Sequence, residues 1–162
     1  MLKEIRDISE LTVSRLFSLY SESMSDLQKH FSSAAEMAQS YAAFLTEFVS
    51  SPDRLILIEE ANGEWVSGLR AIQSAKGQWF LEAVKTKPDC RKQGYGKMLL
   101  TDTISHLNTM GMYQITCQIS KGNIPSQRLH SAVGFTATNE PSVDPWGNTY
   151  ERTILYKYCR QH

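Results

Sequence analysis

The 162 residues have the usual length of one globular domain, and 41% of them are hydrophobic and 21% charged. Lysine plus arginine and aspartate plus glutamate both number 17, which argues against a general nucleic-acid or membrane-surface binder. No apolar run approaches the roughly 20 residues that span a bilayer, and the first residues lack the apolar part of a signal peptide. We therefore expect a cytoplasmic protein without nucleic-acid or membrane partners.

Hydrophobic periodicity and turn residues predict a single α/β domain over 1–162, with one mixed sheet and helices packed on its faces. The predicted elements, in chain order, are a strand at 3–8, helices at 10–20 and 33–49, strands at 54–60, 64–72 and 79–86, a helix at 94–110, a strand at 113–119, a helix at 124–133, and strands at 135–138 and 150–158. Asn62-Gly63 predicts an antiparallel hairpin, and Lys76-Gly77 predicts a second turn. The strand, helix and strand at 79–119 predict a right-handed crossover between parallel strands.

Three cysteines, Cys90, Cys117 and Cys159, are too few and too scattered for a disulfide framework or a zinc site, so we interpret them as free thiols. Cys90 precedes a predicted helix beside Arg91, which would lower the pKa of its thiol; the favoured alternative is a loop cysteine without chemical function. No cluster of metal-ligating residues has the usual spacing, so no metal is expected. Histidines without a surrounding motif are predicted at the surface: His30, His106 and His162.

The segment most informative about function is Arg91-Lys92-Gln93-Gly94-Tyr95-Gly96, which joins a predicted buried strand to a helix. The first turn of a helix offers unpaired backbone N–H groups and the positive end of the helix dipole, which together attract anions. Gly94 and Gly96 have no Cβ, so the backbone can approach a phosphate closely. Positive charge is added by Arg91, Lys92 and Lys97. This arrangement suits a pyrophosphate, and the alternative is a simple tight turn.

Two other phosphate-binding loops do not match this segment. A Walker loop would need glycine at Arg91 and a serine or threonine at Met98. A dinucleotide-binding loop that starts at Gly94 would need its third glycine at Leu99.

The same segment resembles the Arg/Gln-x-x-Gly-x-Gly/Ala signature of the GNAT acetyltransferase family. A second stretch, from Asn123 through Ser126 and His130 to Gly134-Phe135, resembles the family's second signature. The resemblance covers most of the chain, is strongest over 79–135, and is weak before 54 and after 140. It implies the GNAT fold, with a mostly antiparallel sheet, a central parallel pair and helices on both faces. It also implies acetyl-CoA as co-substrate.

The resemblance further implies where the coenzyme binds. The strands at 79–86 and 113–119 should diverge at their ends, and the pantetheine arm should lie in the gap between them. Backbone at Val84 and Thr86 should bond the arm on one side, Asn123 and Ser126 should meet it on the other, and the amides of 91–96 should hold the pyrophosphate. The predicted coenzyme-binding residues are Val84, Thr86, Arg91, Lys92, Gln93, Gly94, Tyr95, Gly96, Lys97, Asn123 and Ser126.

Acetyl transfer to an amine requires removal of a proton, a donor for the developing oxyanion, and a proton for the leaving thiolate. The resemblance implies that the backbone N–H of Val84 stabilises the oxyanion. Glu82 is the only carboxylate on the central strand, and alternation places it on the face of Val84 and Thr86. It is either a general base or a structural carboxylate bonded to backbone or a cation. His130 stands where the family usually has a tyrosine, and it is either a general acid or a packed side chain.

The predicted function is therefore an N-acetyltransferase for a primary amine on a small molecule or a peptide. The alternative is a non-catalytic acyl-CoA-binding module, which the missing tyrosine motivates. Residues 21–30 and the loop with Asp144 and Trp146 are candidate walls for the acceptor, because an acid beside an aromatic ring can receive a cationic amine. Trp146 is equally well interpreted as an anchor of its own loop. A homodimer is left open.

Overall fold

The computed structural model describes residues 1–161, so the predicted surface position of His162 lies outside the described residues. Its strands are β1 (Leu2–Ile5), β2 (Arg54–Ala61), β3 (Glu64–Ala75), β4 (Gln78–Thr86), β5 (Gln114–Ser120), β6 (Thr136–Ala137) and β7 (Thr153–Cys159). Its α-helices are α1 (Glu10–Leu19), α2 (Ser21–Leu27), α3 (Ala34–Val49), α4 (Tyr95–Thr109) and α5 (Ile124–Ala132). Two single 3₁₀ turns follow α2 and β4, at Gln28–His30 and Pro88–Cys90.

Within residues 1–161 the strands form one sheet in the order β1-β2-β3-β4-β5-β7-β6. The β4–β5 pair is parallel, and every other neighbouring pair is antiparallel. Asn62 and Gly63 turn between β2 and β3 with φ of 53° and 77°, as a two-residue hairpin of this hand requires. The predicted fold class, including the central parallel pair, is confirmed.

Helices cover both faces of this sheet, and the side chains of β2 show how each face is buried. Leu55 and Leu57 belong to the cluster beneath α4, whereas Ile56 and Ile58 belong to the cluster beneath α1 and α3. All four side chains are at most 2% exposed. Alternation along a strand thus supplies two hydrophobic cores from one run of apolar residues.

Several predicted boundaries are wrong, and one helix was not predicted. The first strand ends at Ile5, and the last begins at Thr153 rather than at 150. Helix α2 was expected to be a connection, because its sequence is polar and Met24 is its only buried residue. No apolar periodicity marks such a helix. Among the described residues, no helix has both the length and the apolar character needed to cross a bilayer.

Candidate active site

A bulge in β4 shapes the centre of the sheet. Gly68 pairs with Lys85 and Arg70 pairs with Glu82, so β4 has one more residue than β3 between these pairs. Ala83 lies within this extra step and has a φ of 53°. Its carbonyl oxygen accepts a hydrogen bond from the hydroxyl of Tyr20 at 2.8 Å. A bulge bends its strand and redirects the side chains that follow it.

The strands β4 and β5 separate directly after Leu81, which is opposite Cys117 in the last pair of their ladder. Strand β5 continues to pair with β7 as far as Ser120, so the separation is on the β4 side. The diverging strands that the resemblance implied are therefore present. The resulting gap lies beside the bulged end of β4.

The bulge contradicts the predicted orientation of Glu82. Val84 packs against the core beneath α4, whereas Glu82 follows Phe80 on the face beneath α1 and α3. The extra residue at position 83 shifts the two-residue period, so Glu82 and Val84 lie on opposite faces. Glu82 accepts a hydrogen bond from Nε of Arg70 at 2.9 Å. The carboxylate is thus bonded to a cation, as one of the two interpretations expected.

A cavity of about 650 Å³ lies between the end of β4, the loop after it, and the first turns of α4 and α5. Of the predicted coenzyme-binding residues, all line this cavity except Gln93, whose amide instead donates to the Asp89 carbonyl at 3.3 Å. Further lining residues that the sequence did not indicate are Glu22, Lys85, Cys90, Pro125 and Leu129. The structure therefore gathers two separate sequence motifs around one cavity.

The loop at 91–94 has the backbone conformation of an anion site. Lys92 and Gly94 have φ of 62° and 84°, and no side chain caps the first turn of α4. Successive amides in such a turn point toward a common point, where they join the positive end of the helix dipole. Gly96 is constrained differently, because a Cβ there would come within 3.1 Å of Leu129 and 3.3 Å of Thr86.

Glu22 on α2 bonds the positive charges at this cavity. Its carboxylate lies 2.6 Å from Nη2 of Arg91 and 3.3 Å from Nζ of Lys85. The hydrogen bond from Lys85, and then the charges of Lys85 and Arg91, lower the pKa of Glu22 below its usual value. The sequence does not indicate this contact, since no local pattern joins residues 69 positions apart.

A second, smaller cavity of about 220 Å³ occupies the gap between β4 and β5. Val84, Asn123 and Ser126 line both this cavity and the larger one, so the two adjoin. Glu82 and His130, the two predicted catalytic residues, both line the smaller cavity. Asn123 also has a structural function, because its Oδ1 accepts from the backbone N–H of Ser126 at 3.2 Å and caps α5.

His130 is almost completely buried, with 1% of its surface exposed. Its Nδ1 lies 2.8 Å from the Ser126 carbonyl oxygen, which only accepts, so Nδ1 carries the proton. Phe135 packs edge-on at 5.3 Å between ring centroids. Nε2 is buried without a hydrogen-bond partner among residues 1–161. Burial lowers the pKa of His130, although the Ser126 carbonyl opposes the shift, so the ring is mainly neutral at pH 7.

The structure contradicts the less favoured interpretation of Cys90, in which its thiol has a lowered pKa. The side chain is 8% exposed, and burial followed by the charge of Asp89 raises the pKa of its thiol. Burial also raises the pKa of Cys117 to about 12, and all three cysteines are free. Ligand-type atoms of Glu64, Asp89 and Cys90 lie within 4.8 Å of one another, but Glu64 is already bonded to Lys87 at 2.5 Å. The absence of a metal requirement stays a prediction.

The prediction that Asp144 receives a cationic amine is contradicted by its contacts. Its carboxylate accepts from the backbone N–H groups of Trp146 and Asn148, both at 2.9 Å. It also accepts from the Asn148 amide and the Tyr150 hydroxyl, both at 3.2 Å. Through these four bonds the Asp144 carboxylate holds its own loop in place. His30 is exposed as predicted, whereas His106 is half-buried.

Comparison with known proteins agrees with this architecture. The model of the acetyltransferase (GNAT) family matches residues 14–135, and the chain belongs to that family. Aminoglycoside N(6′)-acetyltransferase type 1 from Serratia marcescens is 28% identical over 78 residues, which are 48% of this chain and 45% of that protein. The matched part thus spans less than half the length of this relative.

Solved structures extend the likeness to nearly the whole chain. PaiA N-acetyltransferase from Thermoplasma acidophilum, in complex with coenzyme A, has a TM-score of 0.73 at 14% identity and covers 99% of each chain. A spermidine N-acetyltransferase SpeG chimera from Vibrio cholerae and hSSAT has a TM-score of 0.75 at 12% identity, covering 98% of this chain and 95% of the other. At such identities these structures share the fold.

Proposed function

We propose that this protein transfers the acetyl group of acetyl-CoA to a primary amine, in one domain formed by residues 1–162. The observation that carries the proposal is the continuity of the large cavity, with its anion-binding loop, and the gap that holds Glu82 and His130. Family membership and the relatives named as N-acetyltransferases support the same chemistry. A cytoplasmic location stays a prediction.

Acetyl-CoA would lie along the bulged end of β4. The amides of Arg91 to Gly96, with Lys97 nearby, hold the pyrophosphate in this proposal. Backbone at Val84 and Thr86 bonds the pantetheine arm as an added strand would, on the edge that β5 has left open. Asn123 and Ser126 face the arm from the start of α5.

In the reaction that we propose, the amine nitrogen attacks the thioester carbonyl carbon and forms a tetrahedral oxyanion, which the Val84 N–H stabilises. The C–S bond then breaks, the acetyl group stays on nitrogen, which releases its second proton to solvent, and coenzyme A leaves as a thiolate that takes up a proton. Glu82 accepts the ammonium proton through water, while the hydrogen bond from Arg70 orients its carboxylate. No covalent bond to the enzyme forms.

His130 is proposed to protonate the thiolate through Nε2, the ring nitrogen without a protein partner. Its lowered pKa makes the protonated ring a stronger acid, but leaves only a small fraction protonated at pH 7. The acid must therefore act through a minor protonation state, and the rate should fall as pH rises above the pKa.

Thiol release from acetyl-CoA, measured against a panel of primary amines with mass spectrometry of the products, tests the proposal. A product heavier by one acetyl group, formed with stoichiometric coenzyme A, supports it. Tight binding of acetyl-CoA without thiol release for any amine would instead identify a binding module, the alternative motivated by His130 in place of tyrosine.

A further inference from the structure

A third cavity, of about 400 Å³, lies on the opposite face of the sheet from α4, between α2 and α3. Ala83 lines both this cavity and the gap between β4 and β5. The bulge at Ala83 is therefore the point where the cavity meets the proposed reaction centre. We call this cavity the helical pocket.

The walls of the helical pocket are mostly apolar. Tyr20, Met24 and Tyr41 are each at most 8% exposed and form its base. At its mouth, Leu27 and Phe44 remain 47% and 44% exposed, although both are large apolar side chains. The fold thus leaves apolar surface uncovered on the wall of a concave site, which suits an apolar ligand.

The charge on the walls of the helical pocket also limits which ligands it can bind. Arg70 is the only charged residue that lines it within the described chain, and no carboxylate does. Its Nε bonds Glu82, its guanidinium lies 5.1 Å from the centre of the Phe44 ring, and neither Nη group has a hydrogen-bond partner among residues 1–161. A second ammonium on the acceptor would enter an apolar space beside a cation, with no anion on the walls to compensate.

We propose that the helical pocket binds the apolar body of the acceptor, whose amine reaches the reaction centre past Ala83. The substrate class is then a primary amine on an alkyl or aryl group without a second cationic centre. This inference rests on the proposed acetyl transfer. The proposed acceptor class differs from the aminoglycoside and the spermidine in the names of two relatives, both of which carry several amines.

A pair of acceptors matched in length tests this class. Hexylamine and 1,6-diaminohexane differ in whether the far end carries a methyl group or an ammonium. We expect kcat/KM for hexylamine to exceed that for the diamine by at least about tenfold, because the ammonium must lose its hydration. Each methylene removed from hexylamine should lower kcat/KM up to about fourfold, from the value of a buried CH₂. An equal or larger kcat/KM for the diamine would overturn the inference.

Variants at the mouth locate the binding site. Leu27→Ala should raise KM for hexylamine about fivefold while leaving coenzyme A affinity and the midpoint of thermal unfolding nearly unchanged. The matched control is Leu11→Ala on α1, where the side chain is 68% exposed and does not line the helical pocket. Equal KM values for both variants and the wild type would place the acceptor elsewhere.

Binding measured without turnover separates the two proposals. Saturation-transfer NMR with coenzyme A present reports hexylamine binding directly, and Leu27→Ala should weaken it. Turnover of the diamine but not of hexylamine would leave acetyl transfer standing and reject the pocket. If no amine is acetylated, the proposed acetyl transfer is rejected. If, in addition, Leu27→Ala leaves hexylamine binding unchanged, the pocket is rejected as well.

Discussion

The two sides of the bulge at Ala83 recognise their ligands in different ways. On the coenzyme side, positive charge and backbone amides come from one short segment, Arg91 to Lys97. On the acceptor side, the helical pocket is assembled from side chains of two helices and two strands, with Tyr20 and Phe31 from the connections on either side of α2. A polar ligand of fixed chemistry can thus be held by a local motif, whereas an apolar body of variable shape requires contacts from distant parts of the chain.

The largest expected effect is on the rate of acetyl transfer, at His130, which lines the gap where the two sides meet. If His130 protonates the leaving thiolate, His130→Phe should lower kcat by about 10² to 10⁴ and leave coenzyme affinity unchanged. His130→Tyr should recover part of the loss, since the family usually has tyrosine there. Steady-state kinetics with one amine, and calorimetry with coenzyme A, provide the two measurements. Equal kcat for the wild type and the phenylalanine variant would make His130 a packing residue.

A smaller effect is expected from the backbone of the coenzyme side. Gly94→Val should weaken coenzyme A binding by about 10- to 100-fold, because a β-branched residue at a φ of 84° strains the turn that aligns the amides. A Cβ at Gly94 meets no atom within 4 Å, so lost affinity would reflect the backbone angle. Gly122→Val is the control, since that glycine has ordinary φ and an equally open surrounding. Calorimetry with coenzyme A on both folded variants should show weaker binding for Gly94→Val alone.

The lowered pKa of His130 predicts a dependence of stability on pH. Burial disfavours the charged ring in the folded state, so the unfolded chain binds more protons once the pH falls below about 6.5, the ordinary histidine value. Stability should therefore be lost on acidification from pH 8 to 5, and less so in His130→Phe. Urea unfolding of both proteins at the two pH values gives the difference. A steeper loss in the variant would contradict the burial argument.

The contrast between the two sides also explains what the sequence predicted. The sheet follows from hydrophobic periodicity, and the coenzyme loop follows from residues that are contiguous. The bulge escaped prediction because Ala83, unlike glycine or proline, signals no irregularity, and the error then placed Glu82 on the wrong face. The functional contacts of Arg70 and Glu22 depend on partners far along the chain. Asp144 seemed available as a ligand only because its loop contacts cannot be deduced from composition.

The smallest expected effect is at Glu22, which belongs to the acceptor side by its helix and to the coenzyme side by its contacts. Its carboxylate holds Arg91 and Lys85, and a bound phosphate must compete with it for these cations. Glu22→Gln should therefore strengthen coenzyme A binding by up to about fivefold, because an exposed ion pair contributes little. The gain should shrink in high salt, which screens exposed charges.

Glu47→Gln is the matched control for this change, because Glu47 is exposed on α3 and makes no ion pair among the described residues. It removes the same charge without releasing Arg91 or Lys85. Calorimetry at low and high salt should therefore show stronger binding for Glu22→Gln alone. Weaker binding for Glu22→Gln would mean that the carboxylate positions Arg91 for the coenzyme instead of competing with it. In that case α2 would be part of the coenzyme site, and the division between the two sides of the bulge would not hold at this residue.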